Sequence, residues 1–186
     1  EEMDAVVIFE NVLVPWARVF MYKDPLLCNR AFAETNAVVH MMHQVACGKL
    51  AKVEFIIGLM CAMAQASGKD VDMNVKGQIA EAMWAAETIR ALLFSAEAHA
   101  KEDKWGLFVP ARRALDTARN MFPKIYPKLI ETIHMLGSSS LMATPCEADF
   151  SGDIAADVER YFQLTNMESR DRVALFRLAH DVAVSG

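Results

Sequence analysis

The sequence predicts an all-α domain, an antiparallel four-helix bundle led by a short β-strand, and three observations carry that expectation. Helix formers dominate from Leu26 onward, apolar residues recur at three- and four-residue spacing, and Gly, Pro and Ser punctuation leaves only short connections. At 186 residues, 54% of them hydrophobic and 23% charged, the chain is long and apolar enough for one sizeable core.

The first element is the exception to the helical pattern. Val6, Val7, Ile8 and Phe9, then Val12, Leu13 and Val14, are mostly β-branched, with Glu10-Asn11 as a turn signal between them. A strand entering a loop is expected here, so that residues 1–24 form the remnant of a β-rich domain with its linker and residues 25–186 the bundle. Such a strand has unpaired edges and is expected to pack across the bundle or to pair between chains. Both ends of the sequence are abrupt, and further sequence is expected on each side.

The helices follow in order. Pro15 and Pro25 bracket a connector carrying Trp16, Phe20 and Tyr22, after which a first helix runs between Leu26 and Ala66 and stops at Ser67-Gly68. A second starts at Asp72, a good N-cap, and continues to about Lys101, burying Val75, Ile79, Met83, Ala86, Ile89 and Leu93. A third extends from Pro110 to Leu136, bent or broken by Pro123 and Pro127. The last follows a capping box of Thr165 and Glu168, with Val173, Phe176, Leu178 and Val182 facing inward.

The net charge of -5, with basic residues scattered among acidic ones, leaves no electrostatic footprint for nucleic acid or an anionic membrane. No uncharged stretch reaches membrane-spanning length. Cys28, Cys47, Cys61 and Cys146 form no CxxC pair and read as reduced thiols filling a core in a cytoplasmic protein. Met41, Met42, Met60, Met63 and Met83 read as core fillers, Trp84 and Trp105 as packing residues, and Arg112, Arg113, Arg170 and Arg172 as solvated or paired surface charges.

Two places carry chemistry. His40 and His43 share a helix face and can hold a metal if a third ligand arrives, but with Gln44 beside them a polar face at a subunit or active-site boundary is the favoured reading, and no metal is expected. Gly137, Ser138, Ser139 and Ser140 follow a helix, where amides gather around an anion. The other reading of this loop, a plain helix C-terminus with a left-handed Gly137, stays open.

Four motifs in order then carry a resemblance spanning nearly the whole chain. They are Phe9 to Phe20, through Pro15, Trp16 and Arg18; His43-Gln44 with Lys52 to Phe55 and Gly58; Leu136 to Met142 with Thr144-Pro145 and Glu147 to Phe150; and Arg172 to Asp181, leading into Ser185. Together they resemble the 4-hydroxyphenylacetate 3-monooxygenase family, in its C-terminal portion. The resemblance implies an acyl-CoA-dehydrogenase-like C-terminal bundle, assembled as a homo-dimer or homo-tetramer. It also implies reduced FAD supplied by a separate flavin reductase, and hydroxylation of a phenolic substrate by O2. The catalytic residues are expected upstream of residue 1, so this segment alone is expected to be inactive. Flavin contact is implied at Gly137, Ser138, Ser139 and Ser140, and at Ser185-Gly186. The sequence departs from the family pattern at Gly48, where relatives carry Arg, and in the three serines that replace a glycine-rich stretch. A related branch, the 4-hydroxybutyryl-CoA dehydratases, places iron–sulfur ligands at the separation of His40 and Cys47, and is the alternative enzymatic reading.

Overall fold

The computed structural model of the chain describes residues 5–184. Helix α1 (Pro25–Glu34) begins with proline at its first turn, and the Asp24 carboxylate accepts the Leu27 N–H at 2.8 Å. Helix α2 (Ala37–Ala66) is the longest, at 30 residues. Between them the expected single helix is interrupted, because Asn36 takes a left-handed conformation (φ 56°) and its side-chain amide donates to Asp103 at 3.0 Å. Asparagine tolerates that backbone better than other non-glycine residues, so a break was encoded where only helix formers were counted.

Gly68 (φ 66°) ends α2 as expected, with the Lys69 N–H closing onto the Ala64 carbonyl at 2.8 Å. Helix α3 (Met73–Ala98) starts on Asp72, whose carboxylate accepts from the Asn74 and Val75 amides. A two-stranded hairpin, β1 (Lys101–Glu102) and β2 (Phe108–Val109), pairs antiparallel with Glu102 opposite Phe108 and leads into α4 (Arg112–Gly137). Pro123 and Pro127 lie inside α4 without breaking it. Both are exposed, and the carbonyls they leave without donors can turn to water while Leu129 and Ile133 anchor the opposite face in the core. Short α5 (Ala155–Tyr161) and α6 (Ser169–Ala183) complete the chain.

Cross-helix contacts fix the directions. His43 meets Glu97 and Glu54 meets Arg90, so α2 and α3 are antiparallel, while Lys49 lies over Phe122 and Lys52 over Tyr126, so α2 and α4 are parallel. Asn166 donates to the Gln65 carbonyl at the start of α6, and His134 contacts the Ala183 carbonyl at its end. Both ends of α6 therefore sit at the same end of the bundle, where α6 packs against α2 and α4 as the fourth helix. The core is Val53, Ile56, Met60 and Met63 of α2 against Ile89, Leu115 and Ile133.

Several sequence expectations are corrected. No strand forms over residues 6–14, because no second strand among the described residues supplies its hydrogen bonds; Val6 and Leu13 are each 91% exposed, so the segment does not pack across the bundle either. Thr165 and Glu168 form no capping box: residues 164–167 are spent in a turn docked on the end of α2, and α6 starts at Ser169. The core reading of the cysteines fails for Cys28, Cys47 and Cys146, which are exposed. Trp84, Trp105, Met41, Met83 and Leu178 are exposed as well.

Truncating Ile133 to alanine, at full burial, is expected to cost about 2–5 kcal/mol in urea unfolding, whereas Glu131→Ala, on the exposed face of the same helix, should stay within about 0.5 kcal/mol.

Candidate functional site

The turn after α4 is built around a close approach. Gly137 keeps a helical backbone (φ -82°), so the left-handed glycine of the other reading is not found; the positive φ (49°) belongs to Ser138. What requires glycine is space: a Cβ at residue 137 would come within 2.4 Å of the Leu141 side chain, which folds back over the helix end. A 3-10 turn follows (Ser138–Leu141), exposing Ser138 and Ser139 and half-burying Ser140.

Two arginines of α6 hold this corner, and reading both neighbouring arginines as surface charge missed one of them. The half-buried Arg172 guanidinium donates to Ser140 Oγ and to the Phe162 carbonyl, each at 2.9 Å, and lies over the Phe162 and Phe176 rings. Burial holds its pKa below the ordinary arginine value, the direction expected where no carboxylate offsets desolvation. Arg177 donates to the Pro145 carbonyl at 2.7 Å and to the Thr144 carbonyl at 3.3 Å, and the Thr144 hydroxyl donates to the Ser140 carbonyl at 2.7 Å. The signal for these roles was the position of Arg172 beside inward-facing Val173 and Phe176. Arg170 behaves as expected, pairing with Glu147 at 3.4 Å over the Phe150 ring.

Residues 138–140 thus present serine hydroxyls on a turn clamped by a cation. That donor set suits an anionic oxygen, as in a phosphate, better than a metal ion. Ser185 and Gly186, the other expected contacts, lie outside the described residues.

The second expected place lies near the start of α2, roughly 30 Å away along the bundle at 1.5 Å per residue. His40 and Cys47 are both exposed there, and His43 makes a 2.8 Å contact with Glu97. Among the described residues no three His, Cys, Asp or Glu side chains are grouped to hold a metal.

A family model described as HpaB, 4-hydroxyphenylacetate 3-hydroxylase C terminal, matches residues 28–186. The chain belongs to the HpaB family. It is 48% identical over its full length to the 4-hydroxyphenylacetate 3-monooxygenase oxygenase component of Geobacillus sp. (strain PA-9), and 46% identical to that of Thermus thermophilus. It spans 38% and 39% of those relatives' lengths. A crystal structure of an HpaB oxygenase component complexed with FAD and 4-hydroxyphenylacetate superposes with a TM-score of 0.87, at 45% identity, over 96% of this chain and 38% of that one. The fold is therefore the acyl-CoA-dehydrogenase-like helical architecture of HpaB. An archaeal 4-hydroxybutyryl-CoA dehydratase from N. maritimus, at 16% identity and a TM-score of 0.73, shares the fold. No helix among the described residues is long and apolar enough to cross a membrane.

Replacing Arg172 with Leu is expected to lower stability by about 1–3 kcal/mol by stranding Ser140 and the Phe162 carbonyl, and Gly137→Ala by a similar amount through overpacking against Leu141. Thermal unfolding of the two variants checks both.

Proposed function

We propose that the chain is the C-terminal portion of a reduced-FAD-dependent monooxygenase that hydroxylates a phenol of the 4-hydroxyphenylacetate type. The observation that carries this reading is 48% identity, along the whole of this chain, to part of an oxygenase component of that name. On this reading residues 1–24 belong to a preceding β-domain and its linker, residues 25–186 form the bundle, and the substrate-contacting groups lie in the rest of the polypeptide. Reduced FAD, supplied by a separate flavin reductase, provides the two electrons with which O2 delivers one oxygen atom to the ring and the other to water. The enzyme works in the cytoplasm as a homo-dimer or homo-tetramer.

The part played by this chain is binding and positioning. Ser138 and Ser139 offer hydroxyls to an anionic oxygen of the cofactor, with Gly137 setting the tight turn beneath them and Arg172 holding Ser140 in place. Ser185 and Gly186 extend the same contact on this proposal. Support for assembly comes from apolar side chains left open on two long helices: Met41 and Phe55 on α2, Trp84 and Phe94 on α3. The dehydratase alternative has only the shared fold behind it.

The test supplies the complete parent polypeptide with FAD, NADH, a flavin reductase, O2 and 4-hydroxyphenylacetate. Chromatography should show the 3,4-dihydroxy product in proportion to O2 consumed, and elemental analysis no iron. Oxygen uptake without a hydroxylated product across a panel of phenols, or stoichiometric iron with sulfide, would overturn the reading. In the same protein Ser139→Asp should weaken FAD binding by about tenfold or more through charge repulsion, measured by fluorescence titration.

A further inference from the structure

Cys47, His43 and Glu97 form a line that the proposed flavin contact does not use. Cys47 and His43 are one helical turn apart on α2, with Cys47 Sγ 3.9 Å from His43 Nδ1. On the other side of the imidazole, Nε2 lies 2.8 Å from Glu97 Oε1 of α3. A carboxylate oxygen accepts, so the neutral tautomer that pairs with Glu97 carries its N–H on Nε2 and turns the Nδ1 lone pair toward the thiol. This is a nucleophile, a base and a group that orients the base, the sequence of parts found where a side chain is activated for covalent chemistry. In this chain the Cys47 thiol is exposed and the His43 side chain 29% exposed.

The other exposed thiols make the comparison internal to the molecule. Among the described residues Cys28 on α1 has no imidazole contact, and Cys146 faces the Asp149 carboxylate instead of an imidazole.

We infer that Cys47 is the reactive thiol of this protein, activated by His43 and Glu97, and a site of covalent capture for soft electrophiles of the quinone class. In the step, the thiol proton passes to His43 Nδ1 and sulfur adds to a ring carbon of the quinone. The carbon–carbon double bond opens onto the conjugated carbonyl, the imidazolium protonates that oxygen, and the C–H proton of the substituted carbon then moves through solvent to the second carbonyl oxygen, which gives the aromatic hydroquinone. One S–C bond forms, the quinone is reduced by two electrons in the addition, and no other oxidant or reductant is consumed. A catechol, the product class proposed above, gives such a quinone on two-electron oxidation. That source is the single point at which the inference rests on the proposed function; the reactivity of the thiol does not.

The protein is treated at neutral pH with limiting 1,4-benzoquinone and, separately, iodoacetamide, and each cysteine is quantified over time by peptide mass spectrometry. Cys47 should be modified at least about tenfold faster than Cys28 with both reagents. In folded His43→Gln and Glu97→Gln variants, checked by circular dichroism, the Cys47 rate should fall toward that of Cys28 while the Cys28 rate stays unchanged. Equal rates for Cys47 and Cys28 in the unaltered protein would overturn the inference, as would a Cys47 rate insensitive to His43→Gln. Neither reagent needs flavin or O2, so failure here is distinct from failure of the monooxygenase reading.

Discussion

The buried stripe of α2 is the constraint on which the rest of the molecule depends. Val53, Ile56, Met60 and Met63 are withdrawn from water almost completely, and both α3 and α4 find their inner faces against them. Each such side chain contributes about 1.5–3 kcal/mol on burial, so a handful outweighs everything the exposed ion pairs of α1 to α4 can add. Direction follows from the same stripe: with α3 returning antiparallel and α4 rising parallel, one end of the bundle collects Ser67, Ser138 and the whole of α6.

That collection of ends places the serine turn after α4 where it is. A serine with positive φ is uncommon, and Ser138 adopts it between a glycine that admits Leu141 and a half-buried arginine that fixes Ser140. Local sequence alone gives a hydroxyl-rich turn; the geometry of that turn is decided 32 residues later, by Arg172.

Much of this was legible from residues. Asp72, Gly68 and the periodic faces of α3 and α6 signalled their elements because caps and three- to four-residue spacing are local. Residues 6–14 form no strand in this chain because β-branching marks a segment fit for a sheet without supplying the neighbour that makes one. Thr165 and Glu168 had capping-box spacing, yet Asn166 binding the end of α2 moved the helix start to Ser169. Cys47, Trp84 and Met83 were misplaced because burial depends on which helix faces find partners. Arg172 reads as surface charge in sequence and as a structural clamp in three dimensions, since its acceptors are a distant hydroxyl and a carbonyl. The family motifs located the turn, whereas the Cys47, His43 and Glu97 line joins two helices and has no signature along the chain.

The seating of α6 across one end has a kinetic meaning. The pairs α2 with α3 and α3 with α4 join neighbours through short connections, so their contacts close small loops and form early. Helix α6 must reach back to Gln65 and His134 and dock on a platform that already exists. Its contact with Gln65 therefore closes a longer loop than the contacts of α2 with α3 do, and its clamp on Ser140 forms as it docks. The serine turn thus shares its stability with α6, and a ligand bound there would act as a latch that raises the hydrogen-exchange protection of both.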